Sequence, residues 1–193
     1  MFVLTIDQQR SRSSVDAVPS LLDTLNSRHA EKLLLPFERT AGDEVQALLD
    51  DAATVVDIVV GLLRAPQWSI GIGVGEVERP LPDSVRAARG TAFLGARTAV
   101  ERAKNAPANI AVEGTSGAAY AEAALWLLGS LLLGRTPAGW EAVDARSAAR
   151  TQVEAATRLG ISPQAINSRL QVAGWREEQR GRELIARLLE GAS

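Results

Sequence analysis

The sequence predicts an α+β fold in which a sheet-forming first part is followed by an all-helical second part. Short strand-like apolar runs alternate with helical patterns over residues 1–115, whereas every apolar pattern after Gly117 has the helical period. With 46% hydrophobic residues, a chain of 193 residues can bury a substantial core. We therefore divide the chain into a sheet domain at residues 1–115, a helical connector at 118–150 and a second helical domain at 151–193.

The first part alternates strands with helices. Strand-like runs occur at residues 2–6, 33–38, 45–49, 68–77 and 109–113. Helical apolar spacing occurs at residues 15–28, 52–64 and 91–104. The turn-forming stretch between the second and third strands predicts a hairpin. The order is β-α-β-β-α-β-α-β, and its first six elements match the ferredoxin-like, or palm, arrangement, in which helices cover one face of a sheet.

The second part is predicted to be helical throughout. Its helical patterns cover residues 118–133, 137–150, 152–159, 163–173 and 177–189. The most apolar stretch, residues 118–134, is interrupted by Glu122, so we interpret it as a buried helix and expect no membrane partner. The sequence has no cysteine and begins without a basic lead or cleavage site, which predicts a cytoplasmic protein.

Residues 151–175 carry the most specific pattern in the sequence, two short helices joined by a tight turn. Gly160 can adopt the left-handed conformation that a three-residue turn needs. Ser162 is a favourable helix cap and Pro163 a favourable first helical residue, so the second helix should begin sharply. This pattern predicts a helix-turn-helix.

The second of these helices has a polar outer face without an acidic residue. Side chains of this kind hydrogen-bond base edges and phosphates, whereas a helix that only packs does not need them. We predict that DNA is bound by Ser162, Gln164, Asn167, Ser168, Arg169 and Gln171. Residues 145–193 also carry eight arginines and five glutamates, a formal charge of +3, whereas the preceding residues sum to −5. The alternative is a helical hairpin that packs or dimerises.

Residues 151–175 resemble the helix-turn-helix of sigma-factor region 4 and related regulators, in which A-x-x-L-G-I-S-x-x-A-I-x-x-R-L is typical. The resemblance implies that the partner of this region is double-stranded DNA.

Two carboxylates lie at strand ends in the first part. Asp7 follows the first strand, and Asp43 lies in the predicted hairpin. In a palm fold these positions are neighbours, where paired carboxylates can hold Mg²⁺ against a triphosphate. The alternative is that both are ordinary turn residues, since aspartate favours turns for backbone reasons.

The segments around these residues resemble nucleotidyl cyclases. Thr5-Ile6-Asp7 is similar to the cyclase first-metal strand, residues 39–43 to the K-T-x-G-D hairpin and to G-G-D-E-F of diguanylate cyclases, and residues 71–77 to the G-I-x-x-G-x-V strand. The SatD-like family, with a G-D-E-x-Q-x-L hairpin and a G-I-G-x-G-E strand, is more similar still over residues 1–115. The resemblance implies a nucleotide with Mg²⁺, with Asp7 and Asp43 as metal ligands. It implies nucleotide-binding roles for Asp7, Arg39, Asp43, Glu44 and Arg97.

The sequence departs from the cyclase pattern at two functional positions. Phe93 replaces the asparagine that cyclases use near the transition state, and Arg39 replaces the adenine-specifying lysine. A site that keeps its metal carboxylates but loses its transition-state groups should bind a ligand better than it converts it. We therefore expect a nucleotide sensor or a structural palm, not an efficient cyclase. The glycines of the 71–75 strand are interpreted either as part of the resemblance or as space for a closely packed helix.

Together the two parts predict a transcription regulator that acts as a homodimer, because paired half-sites raise affinity and specificity together. The apolar helix at 118–133 offers either a dimer interface or a core element. Two alternative functions stay open. One is a Mg²⁺-dependent nucleotidyl cyclase-like enzyme, and the other is an adaptor that binds RNA polymerase.

Overall fold

The computed structural model describes residues 1–11, 14–65 and 67–192, and its fold is α+β as predicted. The strands are β1 (Phe2–Gln8), β2 (Leu33–Arg39), β3 (Glu44–Leu49), β4 (Trp68–Val74) and β5 (Ile110–Glu113). The α-helices are α1 (Val18–His29), α2 (Ala52–Leu63), α3 (Thr91–Ala103), α4 (Ala118–Leu133), α5 (Pro137–Ser147), α6 (Gln152–Arg158), α7 (Pro163–Val172) and α8 (Trp175–Glu190). Every predicted element is present. The largest differences are of three residues, since α1 begins three residues later than predicted and β4 and α5 each end three residues earlier.

The strands form one mixed sheet in the order β2-β3-β1-β4-β5. All neighbours are antiparallel except β4 and β5, which run parallel and are connected through α3. This order is compatible with the ferredoxin-like prediction. The register places Asp7 of β1 between Glu44 of β3 and Ser69 of β4, so three polar side chains of adjacent strands share one face at this end of the sheet.

One face of the sheet carries the main hydrophobic core. Alternate residues of β1, among them Leu4 and Ile6, are completely buried there against α1 and α2. Helix α2 is apolar on nearly all sides, and nine of its twelve residues are buried. It begins sharply because the Asp51 side chain accepts a hydrogen bond from the Ala53 backbone N–H at 3.1 Å.

Helix α3 covers the opposite face and lies directly on β4. The close approach requires glycine, because a Cβ atom at Gly73 would lie 2.0 Å from the Ala92 carbonyl oxygen, and one at Gly71 would lie 2.3 Å from the Val100 nitrogen. Buried alanines of α3 complete this interface. The interpretation of the strand glycines as space for a helix is therefore confirmed.

The second part of the chain contributes to two hydrophobic clusters. Residues of α4 and α8 belong to the main core, and both helices pack beside α2. Helices α5, α6 and α7 form a separate small cluster around Ile166 and Leu170. The main core thus extends across the sequence boundaries at residues 117 and 150. Within the described residues, no helix is long and apolar enough to cross a bilayer.

Candidate nucleic-acid interface and carboxylate cavity

The helix-turn-helix is built by local hydrogen bonds. Thr151 caps α6 through a 3.1 Å bond from the Glu154 backbone N–H to its hydroxyl. Gly160 has a positive φ of 63° and turns the chain towards α7. Ser162 then caps α7, because its hydroxyl accepts a 3.1 Å hydrogen bond from the Ala165 N–H, and Pro163 occupies the first helical position. The Gly160 turn and the start of α7 at Ser162 and Pro163 are as predicted, whereas the Thr151 cap was not predicted from the sequence.

The outer face of α7 is open to solvent. Gln164, Asn167, Ser168 and Gln171 are exposed and follow the i, i+3, i+4, i+7 spacing of a single helix face. Beneath them, Ile166 and Leu170 are buried against α6, as predicted.

Three of the predicted DNA-binding residues, Ser162, Asn167 and Arg169, have partners within the fold. The Asn167 side-chain oxygen accepts a 3.3 Å hydrogen bond from the Gln152 amide. The hydroxyl of Ser162 serves the helix cap. The guanidinium of Arg169 is directed towards α5, 3.6 Å from the Glu141 carboxylate. The Arg169 and Glu141 side chains are 37% and 64% exposed, so the contribution of this pair to stability is small and a phosphate can compete for the arginine.

Three residues at this surface were not predicted from the sequence. Val172 extends the open face of α7 and is 80% exposed. Arg146 and Arg176 line a cavity of about 420 Å³ together with Asn167 and Gln171. Arg176 has no hydrogen-bond or ion-pair partner among the described residues. In the sequence it precedes two glutamates, and only the packing of α8 beside α7 brings it to this surface.

The predicted carboxylates share a cavity of about 500 Å³ at the end of β1. Its wall contains Asp7, Asp43, Ser69 and Lys104 together with residues 8–11. The Lys104 ammonium at the end of α3 lies 3.8 Å from the Asp7 carboxylate and 2.8 Å from that of Glu101. The structure therefore brings the two predicted metal ligands together and places an ammonium group beside them.

Burial and neighbouring charges shift the pKa values of Asp7 and Lys104 in this cavity. Burial raises the pKa of the Asp7 carboxyl above its ordinary value of 3.8. Lys104 opposes this shift, while Asp43 and Glu44 raise the pKa further. A hydrogen bond to Glu101 raises the pKa of the Lys104 ammonium. A divalent cation placed between the aspartates would favour their ionised forms.

The carboxylates of this cavity fit a Mg²⁺ ion that binds together with the phosphates of a nucleotide. Mg²⁺ is commonly held by one or two carboxylates plus substrate phosphates, and Asp7 and Asp43 supply two carboxylates. No cluster of three or more potential metal ligands occurs in the part of the chain that the structure describes. The buried Ser69 hydroxyl lines the same cavity and has no hydrogen-bond partner among the described residues. Neither Ser69 nor Lys104 was predicted, because only the sheet register and the α3 crossover place them beside Asp7.

The remaining predicted nucleotide-binding residues lie outside this cavity. Glu44 accepts a 2.5 Å hydrogen bond from the Thr40 hydroxyl. Arg39 pairs in register with the buried Val45 and is therefore directed to the opposite face, where it donates a 2.9 Å hydrogen bond to Asp16. Arg97 has no hydrogen-bond or ion-pair partner among the described residues.

Arg97 lines a second cavity, of about 570 Å³, beside α3. Phe93, Arg86 and Arg89 line the same cavity. Lys104 lies seven positions after Arg97, which corresponds to about 10 Å along the helix. The two cavities therefore lie in sequence along one side of α3 and do not form a single compact site.

Comparison with known proteins finds no match among family models, curated proteins or solved structures. The resemblances to sigma-factor region 4, to nucleotidyl cyclases and to the SatD-like family therefore stay predictions.

Proposed function

We propose that this protein is a DNA-binding transcription regulator whose sheet domain binds a nucleotide. The observation that carries the proposal is the open face of α7, where Gln164, Asn167, Ser168 and Gln171 are exposed on a helix held by a turn and a cap. Glutamine and asparagine can form paired hydrogen bonds with adenine in the major groove. The ten residues of α7 span about 15 Å, enough to cross several base edges.

Basic residues beside this face favour contact with the phosphate backbone. Arg176 is exposed and unpaired within the described residues, and Arg169 is within reach once it leaves Glu141. Arginines of this kind position a protein on DNA, whereas the amide side chains read the sequence. The proposal therefore assigns positioning to the arginines and specificity to Asn167 and Gln171.

The proposed regulator is a homodimer. One short recognition helix buries little surface, and two-fold symmetric half-sites compensate for this. Helix α4 supports the proposal, because Tyr120 and Leu127 are 69% and 76% exposed on a face that carries no charged residue. Exposed apolar faces of this kind commonly mark interfaces.

The test is recovery and sequencing of genomic fragments bound by the purified protein at near-physiological salt. The wild type should enrich a defined motif, and an Asn167→Ala/Gln171→Ala variant should lose or relax it. The control is Gln67→Ala, which removes an exposed amide just before β4 in the sheet domain. An absence of enrichment by the wild type would contradict direct DNA reading. Binding to RNA polymerase without DNA would then favour the adaptor.

The carboxylate cavity supports the nucleotide-binding part of the proposal. Mg²⁺-ATP should raise the melting temperature of the wild type by mass action, and Asp43→Asn should abolish the rise. The control is Asp50→Asn, an exposed acid outside the cavity. An equal rise in all three proteins would contradict the site. Magnesium-dependent consumption of ATP that requires Asp43 would favour an enzyme over a sensor.

A further inference from the structure

Arg135 follows α4, and its side chain is completely buried where α4, α5, α7 and α8 meet. Its Nε donates a 2.9 Å hydrogen bond to the Ala173 carbonyl, at the C-terminal end of α7. Its Nη2 donates a 2.7 Å hydrogen bond to Glu178, in the first turn of α8. A single side chain therefore holds the junction between the recognition helix and the final helix.

The contacts of Arg135 continue to the sheet domain through Glu178. The other oxygen of the Glu178 carboxylate accepts hydrogen bonds from Arg182, at 2.9 and 2.6 Å. Arg182 in turn donates a 2.5 Å hydrogen bond to Asp57 of α2. Since α2 packs on the sheet, this series of ion pairs connects the end of α7 to the main core.

A second set of contacts attaches α5 to α2. The Trp140 ring of α5 contacts two guanidinium groups, those of Arg135 at 4.3 Å and Arg64 at 4.4 Å from the ring centre. Arg64, directly after α2, also forms a bidentate ion pair with Asp144, with hydrogen bonds of 2.8 and 2.6 Å. Helices α5, α7 and α8 are therefore all attached to α2, and Arg135 belongs to both sets of contacts.

Burying a charged arginine at this position carries a desolvation cost. Nη1 of Arg135 is buried and has no hydrogen-bond partner among the described residues. Apolar residues of similar volume often stabilise a core as well as a buried ion pair does. They cannot, however, hold a carbonyl oxygen at the end of a helix. The geometry therefore favours a role in orientation over a role in stability.

We propose that Arg135 is a positioning residue that fixes the recognition helix α7 relative to the sheet domain. This inference rests on the proposed DNA-binding function, although the orientation itself can be measured without DNA. Arg135 lies away from the open face of α7, so any effect on DNA binding must act through the placement of that helix.

The test compares Arg135→Lys and Arg135→Met with Arg187→Lys and Arg187→Met. Arg187 is exposed on α8 and has no partner within the described residues. The Arg135→Lys substitution preserves the charge opposite Glu178, but its ammonium cannot also hold the Ala173 carbonyl in the same geometry. In both Arg135 variants we expect amide hydrogen exchange in α7 to accelerate about tenfold, the effect of losing one charge-assisted hydrogen bond. Exchange in α2 should not change, and affinity for the enriched motif should fall by about the same factor.

The outcomes separate the two proposals. Unchanged α7 exchange and DNA affinity in both Arg135 variants would overturn the positioning role. Equal acceleration in α2 and α7 would also overturn it, because it would show general destabilisation. If the wild type binds no DNA, the proposed function fails, and selective acceleration in α7 still supports the orienting contact. If Arg135→Met does not fold, Arg135→Lys decides.

Discussion

At the scale of single residues, Asp7 combines burial with a second carboxylate nearby. Its pKa is raised in the folded protein by burial, so the folded state holds the proton more tightly than the unfolded chain does. The free energy of unfolding therefore decreases as the pH rises from the ordinary value of 3.8 through the folded-state pKa. The proposed site thus costs stability at neutral pH, as functional carboxylates often do.

Asp7→Asn should raise the free energy of unfolding at about pH 7, because it removes a carboxylate that is costly to ionise in place. The difference from the wild type should decrease as the pH falls towards about 4. Urea unfolding over this pH range measures the effect. Asp50→Asn, on an exposed residue, is the control and should change little. A lower stability of Asp7→Asn at neutral pH would show that the pair with Lys104 outweighs burial.

At the scale of elements, two serines of the helix-turn-helix have different roles. The Ser162 hydroxyl accepts the capping hydrogen bond of α7, whereas Ser168 is exposed in the middle of the same helix. Ser162→Ala should lower the free energy of unfolding by about 1 kcal/mol. Ser168→Ala should change it by less than about 0.5 kcal/mol, since alanine favours the helix and no cap is lost. Equal effects in chemical denaturation would argue against the cap.

The contact between α3 and β4 gives a second matched pair. A methyl group at Gly73 meets the α3 backbone, whereas one at Gly61 of α2 meets nothing within 4 Å. Gly73→Ala should destabilise the protein by about 1–3 kcal/mol or more through overpacking. Gly61→Ala should stabilise it by about 0.5–1 kcal/mol through helix propensity. Thermal unfolding compares the two, and a neutral Gly73→Ala would contradict the tight interface.

At the scale of the whole molecule, the proposed dimer depends on the open face of α4. Leu127→Glu should convert a dimer into a monomer, because it places a charge in an apolar interface. The control is Leu94→Glu on α3, where the leucine is 68% exposed but lies on the other side of the sheet. Sedimentation equilibrium measures the mass of each variant. A monomeric wild type at all concentrations tested would contradict the α4 interface.

The α7 face and the carboxylate cavity lie in different parts of the fold, connected through α2 and the ion pairs around Arg135. A regulator needs such a connection if a nucleotide in one part is to alter DNA binding in the other. Comparing DNA affinity with and without Mg²⁺-ATP measures this coupling.

Much of this protein could be predicted from the sequence because its signals are local. Strand alternation, helical spacing and the Gly160–Ser162–Pro163 turn each depend on neighbours within a few residues, and each predicted element is present. The burial of Ile166 and Leu170 follows from the same periodicity. The proximity of Asp7 and Asp43 was predicted from the palm arrangement, in which these two positions lie side by side on adjacent strands.

Other contacts between residues distant in the sequence could not be predicted. The approach of Lys104 and Ser69 to Asp7, the turning of Arg39 to the opposite sheet face, and the burial of Arg135 against Ala173 depend on sheet register and helix packing. These contacts join residues separated by tens of positions, and no periodicity within the sequence encodes them. Local backbone preferences therefore set the elements of this protein, and packing set the surroundings of its candidate sites.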